Sequence, residues 1–107
     1  MTKITIIKKD GIICAYKVKG HSGFAEEGKD IVCSAISAIS QMILGGLKEV
    51  AHAEVESIVE DGFMQVFVKD YSNEKAQTLL KTMELAFAEL SKDYARYVKM
   101  EVKEDVY

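Results

Sequence analysis

The chain alternates between two hydrophobic periods. Near the start, apolar positions recur every second residue over Thr2–Lys9 and Ile12–Lys19, which is strand spacing. Asp10-Gly11 lies between them, and a second Asp-Gly, Asp61-Gly62, separates Glu54–Glu60 from Phe63–Asp70. Glycine tolerates positive φ, so each dipeptide predicts a hairpin turn. For the first hairpin, a loop of Lys9-Asp10-Gly11 gathers the apolar side chains on one face and sets Ile4 opposite Tyr16 and Ile6 opposite Cys14. For the second, the two-residue loop Asp61-Gly62 faces Val55, Ser57 and Val59 with Val68, Val66 and Met64. A last strand, Tyr97–Lys103, points Val98, Met100 and Val102 inward.

Between the strands the period becomes helical. A first helix is expected over Ile31–Ala51, apolar nearly all round at its start, so its N-terminal half should be deeply buried. Gly45-Gly46 near its middle costs roughly 2 kcal/mol relative to alanine. Close packing, a kink or a partner helix would each account for the pair. A second helix, Asn73–Tyr94, lines up Ala76, Leu79, Leu80, Met83, Phe87 and Leu90, with Ser72 or Asn73 as cap. The order is ββαββαβ. Burying both helical stripes is simplest in an α+β fold of two layers, a mostly antiparallel sheet with both helices packed on one face.

Composition narrows the class. The 107 residues predict a single domain over 1–107, and 49% apolar with 29% charged is a globular balance. About 65% of the unfolded surface is buried at this size, enough for a core without disulfides or metal. Cys14 and Cys33 are nineteen residues apart, which is no zinc spacing, and two cysteines make no disulfide framework. The opening apolar run breaks at Lys8-Lys9, too early for a signal peptide. The longest uncharged stretch, Ile31 to Leu47, is seventeen residues and carries three serines, short for a membrane span. A cytoplasmic protein with free thiols is therefore expected. Residues 1–29 hold six lysines against Asp10, Glu26 and Glu27, a net +3, while residues 30–107 carry −6. No basic helix or aromatic-basic interleaving accompanies that charge, so a solvated strand face is expected rather than direct nucleic-acid binding.

Chemistry concentrates in residues 20–37. Three glycines in nine residues, Gly20, Gly23 and Gly28, join the first hairpin to the apolar helix. Asp30 stands at the N-cap, which places Cys33 in the first turn, beside unpaired N–H groups and the positive end of the dipole. That setting favours a thiolate, the form a nucleophile needs. His21 lies twelve residues upstream, at a strand end, and a loop of this length can fold it back toward Cys33 as a proton-transfer group. Two readings of Cys33 stand side by side, because an apolar helix also buries cysteines as ordinary core. Asp30 either only caps the helix or also orients His21. Ser37, one turn after Cys33, has a plain role bonding back to the Cys33 carbonyl. Cys14 reads as a strand core residue, His52 as a helix-end residue without chemistry, and Tyr94, Tyr97 and Phe87 as packing. The loop Ser22–Lys29 has few apolar groups besides Phe24. It is expected to be a mobile lid, hinged at Gly23 and Gly28, with Phe24 as its contact to substrate.

Gly20-His21, six residues, Gly28, one residue, Asp30-Ile31-Val32-Cys33, then Ala35 and Ser37 closely resembles the signature of Prp, the ribosomal-processing cysteine protease family. The resemblance extends to the length and element order of the whole chain. It implies a cysteine endopeptidase with Cys33 as nucleophile and His21 as general base and acid, working without a metal or other cofactor. Asp30 and Ser37 match motif positions as possible supporting residues. The implied substrate is the precursor of a large-subunit ribosomal protein, number twenty-seven, whose N-terminal extension is removed. A cytoplasmic homodimer with a flexible loop over the site is also implied. Two other classes compete with this reading. One is a non-catalytic ribosome-assembly or RNA-associated module using the basic hairpin. The other is a thiol redox sensor pairing Cys14 with Cys33.

Overall fold

The computed structural model describes residues 1–26 and 29–104. The elements follow the expected order: β1 (Thr2–Lys9), β2 (Ile12–Lys19), α1 (Ile31–Glu49), β3 (Val55–Glu60), β4 (Phe63–Val68), α2 (Glu74–Asp93) and β5 (Val98–Glu104). The five strands form one sheet in the order β3-β4-β2-β1-β5. Every neighbouring pair is antiparallel except β1 and β5, which run parallel. Ile4, Ile6, Tyr16, Val66 and Val98 point from the sheet into one core, where Val32, Ile36, Ile43 and Leu47 of α1 meet Ala76, Leu80, Met83 and Phe87 of α2.

The second hairpin has the expected register, with Val55 opposite Val68, Ser57 opposite Val66 and Val59 opposite Met64. The first does not. Ile4 pairs with Val18 and Ile6 with Tyr16, two residues from the expected partners. Asp10 and Gly11 both take positive φ, 54° and 78°, so the loop is two residues rather than three. The pairing then slips between Ile7 and Lys8, leaving Cys14 as the extra residue of a bulge. The net slip is even, so the same side chains still face the helices. β4 pairs with β2 only from Ala15 onward. Beyond that end the side chain of buried Gln77 takes over: its Oε1 accepts from the Ile13 N–H at 3.2 Å and its Nε2 donates to the Ile13 carbonyl at 2.7 Å. Without it these backbone groups would be buried and unpaired.

The expectation of a deeply buried start for α1 is corrected. Only the stripe Val32, Ile36, Ser40, Ile43 and Leu47 is buried, while Ile31 and Met42 are 60% and 65% exposed. A two-layer fold covers one side of each helix and leaves the other uncovered. By length and composition α1 would suffice to cross a membrane; here its stripe packs into the core shared with α2. Val102, expected inward, is also exposed, because β5 is an edge strand. The glycine pair divides. A Cβ at Gly46 would meet Leu79 Cδ1 at 3.2 Å, so α1 and α2 approach closely there, whereas Gly45 faces open space. Asn73 caps α2 through the Ala76 N–H at 3.1 Å, as its side chain predicts.

Candidate active site

The site is assembled where β2 ends, α1 begins and the β3–β4 turn folds over. Gly20 closes β2 with φ +93°, and its N–H donates to the Gly62 carbonyl at 2.8 Å. A Cβ at Gly20 would lie 2.6 Å from the Met1 carbonyl oxygen, so only glycine fits without a shift. His21 follows, exposed, its ring lying against the turn. A Cβ on Gly62 would come within 2.9 Å of His21 Nε2. Between this turn and the first half of α1 lies a cavity of about 640 Å³. His21, Cys33, Ser34 and Ser37 border it on one side, Glu60 and Asp61 on the other, and Val18, Ile36 and Met64 contribute apolar wall.

Asp30 caps α1 as the sequence predicts, its Oδ1 accepting from the Cys33 N–H at 2.9 Å. Cys33 therefore sits in the first turn, half-buried. The other oxygen of Asp30 organises the loop. Oδ2 accepts from the Ser22 hydroxyl at 2.5 Å and from the N–H groups of Phe24 at 3.1 Å and Ala25 at 3.3 Å. Burial raises the Asp30 carboxyl, but the hydrogen bonds from Ser22 and from the backbone of Cys33 and Ala25 outweigh it, and its pKa falls well below the usual carboxylate range. Among the described residues, its hydrogen bonds go to the loop and the helix start rather than to His21.

Ser22 is the residue the sequence reading missed. It is 2% exposed, its N–H donates to Cys33 Sγ at 3.2 Å, and its hydroxyl oxygen accepts from that thiol at 3.4 Å. A serine between histidine and glycine in a polar loop gives no sequence signal of burial; only the fold of the loop over the helix start brings it to the sulfur. Ser37 borders the cavity, but its expected back-bond to the Cys33 carbonyl is replaced by acceptance from Gln41 Nε2 at 2.8 Å.

Phe24 corrects the expectation that few apolar contacts hold the loop. It is 38% exposed, yet its ring stands edge-on to Tyr94 and Tyr97, with centroids 5.7 Å and 5.2 Å apart. Edge-to-face pairs of this kind add attraction beyond area burial. The two tyrosines, expected to be packing only, thus also seat the loop. Gly23 has φ +73°, a backbone state suited to a glycine hinge. Gly28, the other expected hinge, lies outside the described residues. Among the described residues, no group of three or more His, Cys, Asp or Glu side chains is placed to hold a metal ion.

Cys14 sits elsewhere. It is buried with Ile7, Ala15, Phe67 and Tyr71 in a second cluster, separate from the core shared by the two helices. Both cysteines are free thiols, and Cys14 belongs to a cluster separate from the core that α1 joins, which gives a redox pair no support. On the basic hairpin, Lys3 is paired with Glu101 at 3.1 Å and Lys8 with Glu84 at 3.2 Å.

A thiol at a helix start, bordering a groove shared with a histidine, is the arrangement of a cysteine protease. The family model of cysteine protease Prp matches residues 1–99, and the chain belongs to this family. The ribosomal processing cysteine protease Prp of Bacillus subtilis (strain 168) is 27% identical over 93 residues, covering 77% of this chain and 79% of the relative. Among solved structures, the S. aureus ribosomal processing protease Prp with a covalently linked product peptide has a TM-score of 0.92 at 24% identity, covering 96% of this chain and 100% of that one. A Streptococcus mutans protein gives 0.88 at 28% identity, covering 98% and 96%.

Proposed function

We propose that this chain is an endopeptidase that removes the N-terminal extension of a large-subunit ribosomal protein, number twenty-seven, with Cys33 as nucleophile and His21 as general base and acid. The observation that carries this reading is the position of the Cys33 thiol in the first turn of α1, facing a cavity that His21 borders. A cavity of about 640 Å³ is of the size that accommodates several peptide side chains. The S. aureus Prp structures hold a substrate peptide in one case and a covalently linked product peptide in another, which supports the same use of the groove here.

In this mechanism the imidazole of His21 takes the proton of Cys33 Sγ. The sulfur attacks the scissile carbonyl carbon, and its electrons close the C–S bond as the carbonyl π pair moves to oxygen. In this reading the N–H end of α1, with its positive field, stabilises that oxyanion. The oxyanion collapses, the C–N bond breaks, and His21 returns its proton to the leaving amine. Water, deprotonated by His21, then releases the acyl group. The supporting parts are Asp30, which fixes the helix start and the loop, Ser37 on the cavity rim, and the segment with Gly20, Gly23, Phe24 and Gly28, which acts as a lid over the bound peptide. The enzyme acts as a cytoplasmic homodimer, a setting in which two free thiols are maintained. A nucleic-acid module is less well supported, because Lys3 and Lys8 of the basic hairpin are ion-paired.

The test is incubation of the purified chain with the full-length ribosomal protein precursor, followed by intact-mass analysis. A single N-terminal truncation is expected, absent with Cys33→Ala and present with Cys14→Ala. An uncut precursor, or cutting that survives Cys33→Ala, overturns the reading.

A further inference from the structure

The hydroxyl of Ser22 has one proton and two lone pairs, and all three are committed. The proton goes to Asp30 Oδ2 at 2.5 Å, a charge-assisted bond of the strong kind. One lone pair takes the Phe24 N–H at 3.2 Å and the other faces Cys33 Sγ at 3.4 Å. Toward the sulfur, therefore, Ser22 offers an acceptor. That suits a thiol, whose proton has somewhere to go, and opposes a thiolate, which would meet a lone pair with its own charge. The only Ser22 donor aimed at the sulfur is the backbone N–H at 3.2 Å. His21, meanwhile, rests against Gly62 on the far turn.

We propose that Ser22 is a positioning residue that holds Cys33 in its protonated form while the loop occupies this arrangement, with the thiol proton resting on a hydroxyl that Asp30 keeps turned away. The proposal rests on the reading of Cys33 as nucleophile and deepens it. In the free enzyme the sulfur gives up its proton less readily than the bare helix start would allow, and a peptide that shifts the loop eases the passage of that proton from the breaking S–H bond to the His21 imidazole. Phe24, seated on Tyr94 and Tyr97, and the three loop donors on Asp30 are the contacts that such a shift breaks. The ionisable groups nearby are Asp30 at the helix cap and, bordering the same cavity as Cys33, His21 at the strand end and Glu60 and Asp61 on the facing turn. Asp30 also meets the Cys33 side chain directly, and Ser22 is the uncharged group beside it that accepts from the thiol.

The experiment is the pH profile of Cys33 alkylation by iodoacetamide in the free, full-length protein, read by mass spectrometry with Cys14 as internal reference. Ser22→Ala removes the acceptor and keeps the N–H, so the midpoint of the profile is expected to move to lower pH. Labelling below the wild-type midpoint then accelerates roughly threefold, about the worth of one weak net hydrogen bond. A looser loop alone would change the plateau rate and leave the midpoint in place. Ser22→Thr keeps the hydroxyl and should keep the wild-type midpoint. Ser22→Gly repeats the test if the alanine variant fails to fold. An unmoved midpoint in the variants lacking the hydroxyl, or one moved to higher pH, overturns the proposal, as does an equal shift in Ser22→Thr. None of these readouts needs catalysis. If Cys33→Ala still cuts the precursor, the nucleophile reading fails; if it is dead and the midpoint stays put, only the role of Ser22 fails.

Discussion

Cys14 and Cys33 are the same side chain in two regions built for different ends. Cys14 lies in the bulge of β2, 7% exposed, enclosed by Ile7, Ala15, Phe67 and Tyr71. Its packed neighbours are aliphatic and aromatic, as suits a small hydrophobe, with Lys9, Glu56 and Lys69 at the edge of the hollow it lines. Cys33 stands at a helix start, with a donor from Ser22, a capping carboxylate three residues before it, and an open cavity in front. The difference teaches that reactivity here is conferred by backbone placement. Cys33 stands at the N–H end of a helix and in its field, whereas Cys14 is enclosed in a strand bulge.

The sharpest way to break this contrast is through the groups that serve Cys33. His21→Ala should lower precursor cleavage by about 100- to 10,000-fold, the range for a general acid–base group, while the thermal midpoint stays nearly unchanged because the ring is exposed. Comparable activity in that variant would remove His21 from the mechanism. Next in size is the selectivity between the thiols. Brief iodoacetamide treatment at pH 6.5 should place nearly all label on Cys33, and preferential labelling of Cys14 would reverse the assignment.

The Cys14 region can be opened from below. Gln77→Leu keeps the volume but strips partners from the Ile13 N–H and carbonyl and from the Tyr71 carbonyl. Leaving such groups buried and unpaired should cost about 2–4 kcal/mol in urea unfolding, with faster labelling of Cys14 and little change at Cys33. Asp30→Asn acts on the other region. The carboxyl is depressed when folded, so its contribution is complete above the ordinary carboxylate range and is lost only as pH falls through the lower folded value. The variant should therefore melt earlier than wild type at pH 7, with the gap closing only in strong acid. A gap independent of pH would mean that the charge contributes nothing beyond the cap. The smallest effect is expected at Gly45. Gly45→Ala meets open space and should stabilise by up to about 1 kcal/mol through helix propensity. Gly46→Ala should gain less or lose, since Leu79 must move. A loss at Gly45 as large as at Gly46 would show that this outer face of α1 is covered by another chain.

Much of this was legible from residue order. The Asp-Gly dipeptides, the period-2 runs and the stripe from Ala76 to Leu90 specify local geometry, and local geometry depends on neighbours in sequence. For the same reason Asp30 could be read as a cap and Cys33 as a first-turn residue, since both follow from counting along one helix. What needed the tertiary structure were relations between segments that no local rule connects. The bulge in the first hairpin depends on Gln77, 64 residues beyond Ile13. The seating of Phe24 depends on Tyr94 and Tyr97, and the exposed side of α1 depends on how many layers the fold has. Ser22 belongs with these. Its type and spacing are unremarked in the sequence, and its contact with the sulfur exists only because the Asp30 carboxylate, having spent one oxygen on the helix, had a second to draw the loop inward.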